Sequence, residues 1–282
     1  MRYIDIHTHV ISADTSEYPL APLGGKQSTW SAERPTSGDE LLTAMDDAGV
    51  EKAVVVQAST AYSFDNSYAA DSVELAPDRL AGVCSVDFLA DDAAERLEYW
   101  VKERGFVGVR LFSTGSTLPT QGEWLDDPRT RPAWEWCEEN ELPVCVQMQS
   151  TGIPQLERIL ANFPRLTVVL DHAARPNLAG GPPYPHAEPL FALTRHERIY
   201  LKISSNTFLR AEKEAGGPNG LMRALRDHFT ARRMAWGSNF PATKGSLPEL
   251  RAYAEKQLDG FSDNEKAEFF AGTATRIYPA LA

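Results

Sequence analysis

The sequence predicts a single (β/α)8 barrel over residues 1–282, and three observations carry that expectation. Short apolar runs of strand length alternate with helical segments until eight strands are counted, the pattern of an α/β fold. The strand runs are near-continuous Val, Ile and Leu, as strands buried on both faces of a parallel sheet require. No composition shift or linker divides the series, and no Gly-rich phosphate-binding turn follows the first strand. The count of eight therefore favours a closed barrel over an open dinucleotide-binding sheet.

Each element has a local reason. The first strand, over 3–9, places Ile4 and Ile6 on one face and Asp5, His7 and His9 on the other, because strand side chains alternate. A loop to Gly38 follows, broken by Pro19, Pro22, Gly24, Gly25 and Pro35; loops of that length are more often functional than idle. Trp30 near its end either covers a ligand or pins the loop. A helix over 39–49 has Asp39 as N-cap and Gly49 as stop. Strands follow at 52–59, 80–87 and 106–112, with helices at 66–76, ended by Pro77, and at 91–104, closed by Gly105. A polar loop with Gly115, Pro119 and Gly122 leads to a helix over 132–140. Strands at 143–149 and 166–174 are separated by a helix over 154–163, and a Pro/Gly-rich loop through Pro185 leads to a helix ending near His196. Strands at 199–205 and 233–239 flank a helix over 220–229, and helices over 248–258 and 263–278 complete the chain.

Composition narrows the function. With 43% hydrophobic and 24% charged residues the chain is ordinary globular material. A formal net charge of -11 argues against nucleic acid or an anionic membrane surface as partner, so an anionic small-molecule substrate needs local arginines. Cys84, Cys137 and Cys145 are odd in number and lack metal-type spacing, which favours free thiols in a reducing compartment. With neither a leader-type segment nor a membrane-length apolar run, a cytoplasmic protein is expected. No feature marks a partner surface or an oligomeric state.

In a barrel of this kind the chemistry sits at the carboxyl ends of the strands. Those ends offer His7 and His9, Gln57 and Ser59, Asp87, Arg110, Gln147 and Gln149, Asp171 and His172, Lys202 and Ser204, and Ser238 and Asn239. Alternation sends Val107, Val109 and Leu111 toward the helices and Arg110 inward, and likewise sends Gln147 and Gln149 inward. Buried arginine and amide groups need partners. A polar ligand supplies them, as does an internal polar network.

The opening IDIHTH, the LDHAARP of the sixth strand, the YLKISS of the seventh and the WGSNFP of the eighth together resemble the amidohydrolase superfamily. More narrowly they are similar to its amidohydrolase-related branch, which holds pyrone-dicarboxylate and sugar lactonases, a lactone isomerase and more distant decarboxylases. The resemblance covers essentially the whole chain. It implies a barrel with His7, His9, His172 and Asn239 as the catalytic set, and hydrolysis of a small carboxylate-bearing or sugar-acid lactone. His7 and His9 would polarise the carbonyl with Asn239 as a further donor, and His172 would assist water. Arg110, Gln147, Gln149, Arg175, Lys202 and Trp30 are the expected substrate-binding residues, Arg through a bidentate fork.

Two departures from the resembled pattern bear on mechanism. Metal-dependent relatives carry a histidine on the fifth strand and an aspartate on the eighth, where this chain has glutamines and Asn239. No metal or other cofactor is therefore expected, the alternative being one zinc ion on His7, His9 and His172. A neutral amide at Asn239 cannot act as a base, which leaves His172 or Asp87 for that task. It also keeps open a lactone isomerase and an inactive barrel that binds a small anion; a metal-dependent decarboxylase is a further alternative, which the poor metal site disfavours.

Overall fold

The computed structural model describes residues 1–115 and 122–282; Pro119, expected in the loop after the fourth strand, lies outside the described residues. Eight parallel strands follow one another in a single sheet. They are β1 (Ile4–Thr8), β2 (Lys52–Val56), β3 (Leu80–Ser85), β4 (Gly108–Phe112), β5 (Val144–Gln147), β6 (Val168–Asp171), β7 (Ile199–Ser204) and β8 (Met234–Gly237). The circle closes where the Asn239 N–H donates to the His7 carbonyl and the His9 N–H to the Phe240 carbonyl, both at 2.9 Å. The chain is the expected (β/α)8 barrel.

The strands are shorter than the apolar runs that announced them. The regular strands end before those runs do, so Gln57, Asp87, Gln149, Ala173, Ala174 and Asn239 fall on the connections beyond. The run of β2 passes into a short helix, Ser59–Tyr62, and β7 passes directly into another, Ser205–Ala211. The helix after the long first loop is Gly38–Ala48, and its N-cap is Ser37 rather than Asp39. Ser37 accepts the Glu40 N–H while Glu40 accepts the Ser37 N–H, a capping box worth about 1 kcal/mol. Gly49 ends that helix at φ 62°, a left-handed conformation that glycine adopts without a Cβ penalty. Within the long loop, Thr29–Glu33 is helical and carries Trp30.

The apolar core has two shells. Val55, Val109, Val144, Leu170, Ile203 and Trp236 face the helices. Ile4, Val54, Val83, Val169 and Ala235 pack inside the barrel with Ile277 and Tyr278 of the C-terminal segment, which closes the end opposite the strand carboxyl termini. Among the described residues no helix is long and apolar enough to cross a membrane.

Candidate active site

Simple alternation fails in β1, and the failure builds the site. The register of β1 against β2 slips between Asp5 and Thr8, a β-bulge that inserts one extra residue and re-aims the side chains beyond it. Ile4 and Ile6 therefore join the barrel interior, while His7 and His9 still enter it. Asp5 instead pairs with Ala53 of the outer shell, and its Oδ1 accepts the backbone N–H groups of His7 and Ser238, each at 2.9 Å. Across the closure, Gly237 makes room for His7: a Cβ built there would lie 2.5 Å from the His7 Cβ.

A charged clamp sits beside the imidazoles. Asp171 is fully buried; its Oδ2 accepts from Arg110 Nε at 2.7 Å and its Oδ1 lies 2.8 Å from Lys202 Nζ. Burial alone would raise the Asp171 carboxyl, but Lys202 and Arg110 outweigh it and hold the acid below its ordinary range. Arg110 also donates to Gln147 Oε1 and stacks its guanidinium 4.5 Å from the centre of the Phe112 ring. The clamp thus carries two cations for one carboxylate.

The sixth strand ends at Asp171, and the next four residues do not extend it. His172, Ala173, Ala174 and Arg175 have φ of 54°, 53°, 53° and 44°, a left-handed turn closed by the Arg175 N–H on the His172 carbonyl at 3.1 Å. Left-handed backbone costs L-residues about 1–2 kcal/mol each. The turn brings residues three apart to one side, and His172 and Arg175 both line one cavity.

That cavity, of about 140 Å³, opens at the strand carboxyl ends. A cavity of ~150 Å³ holds a single six-membered ring. Of the expected residues, His9, Trp30, Arg110, Gln147, His172, Arg175 and Asn239 line it. Three do not. His7 lies behind, its ring edge-on to those of His9 and His172 at 4.9 and 5.2 Å, because the bulge and Gly237 seat it one layer deeper. Lys202 is wholly buried, spent on Asp171 and 3.6 Å from Cys145 Sγ. Gln149 is exposed and borders a neighbouring cleft, because β5 has ended two residues earlier. Asp87 borders a separate cavity, on the far side of Arg110 and Phe112.

Sequence reasoning missed Thr60, Phe112 and Asn206 in the lining. Phe112 was within reach, since it shares the face of Arg110 two residues away. Thr60 and Asn206 lie on the short helices that start just past β2 and β7, beyond the last strand residue that alternation orders. None of the described lining residues is a carboxylate.

The imidazoles are held neutral. Burial, then Arg110, brings His9 from 6.5 to about 3, against the opposing Val56 carbonyl. Burial also brings His172 to about 3, overcoming Asp171. Burial, then Lys202 and Arg110, keeps His7 well below the usual imidazole value, and neither of its nitrogens has a hydrogen-bond partner among the described residues. Arg175 has no carboxylate partner among the described residues; burial and then Arg210 lower it.

A zinc ion on His7, His9 and His172 finds a poor donor set here. Among the described residues no group of three or more His, Cys, Asp or Glu side chains is arranged to hold a metal ion. Asp171 is committed to two cations, Asn239 stands where a carboxylate would add charge, and Arg110 lies beside the imidazoles. A dication at this point meets positive charge with no free anionic ligand, so these residues do not fit it.

The family model described as Amidohydrolase matches residues 4–280. L-fucono-1,5-lactonase of Burkholderia ambifaria is 28% identical over 243 residues, 82% of this chain and 81% of that protein. A protein of Acinetobacter baumannii described as a probable 2-pyrone-4,6-dicarboxylic acid hydrolase, solved with citric acid bound, superposes with a TM-score of 0.79 at 20% identity, covering 99% of this chain and 100% of that one. An amidohydrolase of Burkholderia multivorans solved with zinc bound gives 0.74 at 23% identity, covering 99% of each chain. At such identities these two structures speak to the fold alone.

Proposed function

The chain belongs to the Amidohydrolase family, and on that basis we propose that it is an enzyme that opens a small lactone by hydrolysis, the lactone being carboxylate-bearing or derived from a sugar acid. The observation that carries the reading is a ring-sized cavity in which Arg110 and Arg175 stand beside neutral His9 and His172, with no carboxylate among the described lining residues. Positive charge there stabilises the oxyanion that develops as a lactone carbonyl is attacked, and the carboxylate that the opened ring becomes. Trp30 and Phe112 supply flat apolar walls, and Ser59, Thr60, Gln147, Asn206 and Asn239 supply hydrogen-bonding groups for ring substituents. The resemblance to a fuconolactone-opening enzyme supports the same reading. We propose further that the reaction runs without a metal ion, because the donor set is short of negative charge.

The missing carboxylate base also supports a second reading, ring exchange in which a substrate hydroxyl replaces water and no acid is released. One experiment separates the two. The purified protein is mixed, with a chelator present, with a panel of sugar-acid and pyrone-dicarboxylate lactones and followed by a pH indicator and by NMR. Acid release supports hydrolysis, altered ring signals without acid release support exchange, and silence in both overturns the lactone reading.

A further inference from the structure

We infer that His9 and His172 face the cavity in opposite tautomers, His9 with a bare Nε2 that accepts a proton from water and His172 with an Nε2–H that donates to the lactone carbonyl. The catalytic half of this inference rests on the lactone reading; the tautomers do not. They are set by the group that each Nδ1 touches. His9 Nδ1 lies 2.8 Å from the Val56 carbonyl oxygen, which only accepts, so the ring hydrogen sits on Nδ1. His172 Nδ1 lies 2.5 Å from Ser204 Oγ. Ser204 is fully buried and stands in a capping box with Thr207, whose Oγ1 accepts the Ser204 N–H at 3.3 Å. Among the described residues its O–H has no acceptor other than His172 Nδ1, and a buried hydroxyl is rarely left undonated. The His172 hydrogen therefore sits on Nε2. In both rings Nε2 is the nitrogen left for the cavity they line.

The rest of the site leaves the base to His9. Asn239 is a neutral amide whose Nδ2 donates to Thr243 Oγ1 at 2.9 Å. Asp171 is bridged between two cations, and both His7 nitrogens are sealed from the cavity. During hydrolysis the water oxygen bonds to the carbonyl carbon and its proton passes to His9 Nε2. The carbonyl π pair moves onto the oxygen, held by His172 Nε2–H. Collapse restores the carbonyl and breaks the ring C–O bond, and the leaving oxygen takes the proton back from His9. Ser204 acts through His172 and is a positioning residue.

Long-range proton–nitrogen NMR of protein labelled with nitrogen-15 histidine, at pH 7, reads the tautomers directly. The expected spectrum has a bare Nε2 in His9 and a bare Nδ1 in His172, with Ser204→Ala altering only the His172 pair. The reverse pattern, like tautomers in both rings, or a His9 imidazolium overturns the inference whether or not any lactone turns over. The roles are read with hydroxylamine, a nucleophile that needs little help from a base. His9→Gln is expected to lower kcat for hydrolysis by about 10²–10⁴-fold and to regain much of it as hydroxamate formation, whereas His172→Gln stays slow with either nucleophile. Equal rescue of both variants, or none of His9→Gln, removes His9 from the role of base. Wild-type protein inert toward every lactone defeats the lactone reading instead, and leaves the tautomers to the spectrum.

Discussion

Two residues along a strand separate two different interiors. Val169 of β6 packs with Ile4, Val54, Val83 and Ala235 around Tyr278, and Asp171 of the same strand holds Arg110 and Lys202. Ala235 of β8 belongs to the apolar half, whereas Gly237 yields its space to His7. In the first half any shape that fills the space will serve, because the hydrophobic effect has no direction. In the second, each charge is tolerated only through a particular partner, since an unpaired ion in a buried site is costly. The carboxyl ends of the strands are thus an already desolvated set of dipoles and charges, resting on a packed apolar floor.

Removing the carboxylate of the clamp breaks this contrast most severely. Asp171→Asn leaves Lys202 and Arg110 buried without a counter-charge, and a loss of about 3–5 kcal/mol of stability is expected, read from the urea midpoint at neutral pH. A loss below about 1 kcal/mol, the range of an exposed ion pair, would show that water or another group screens the cations, and the upper half would no longer count as a charge clamp.

Acid gives a graded version of the same test. His9 and His172 titrate near 3 in the folded chain against 6.5 when free. Between those values the unfolded chain binds two protons that the folded chain refuses, so stability falls as pH falls. The slope is about 1.4 kcal/mol per pH unit for each imidazole, or about 2.8 kcal/mol for the pair between roughly pH 5.5 and 4.5. Urea midpoints across that window check it. A flat profile would mean that the rings take up protons in the folded state and that the cavity is wetter than its lining implies.

The eight-strand order and the inward turn of Arg110 and Gln147 were legible in the sequence, because both rest on period-two alternation inside paired strands. Legibility ended where pairing ended. Gln149 reads as inward only while β5 continues, and β5 stops at Gln147. The same limit hid the left-handed turn from His172 to Arg175: LDHAAR continues an apolar run by composition, and nothing in two alanines announces positive φ. Asp5 misled for another reason. A bulge costs one residue of register and leaves no mark in a run of alternating residues. For Lys202 the sequence leaves substrate binding and an ion pair inside the barrel both open; it is the ion pair that forms, with a partner 31 residues earlier on the neighbouring strand.

The smallest perturbation asks whether the two halves communicate. A polar thread joins them: Tyr278 Oη to Cys145 Sγ at 3.0 Å, Cys145 Sγ to Lys202 Nζ at 3.6 Å, and Lys202 to Asp171. Burial raises both the Cys145 thiol and the Tyr278 hydroxyl, so both stay protonated and the thread carries hydrogen bonds rather than charge. Tyr278→Phe keeps the ring among Ile4, Ala274 and Ile277 and deletes one weak bond to sulfur. A loss of about 0.5–1.5 kcal/mol is expected, with kcat/KM on any lactone the protein opens unchanged within about twofold, equivalent to ~0.4 kcal/mol. A tenfold fall in kcat/KM with little change in the urea midpoint would be the informative failure. It would mean that Lys202 is placed from below, through Cys145, and that the apolar floor sets the charge pattern of the site above it.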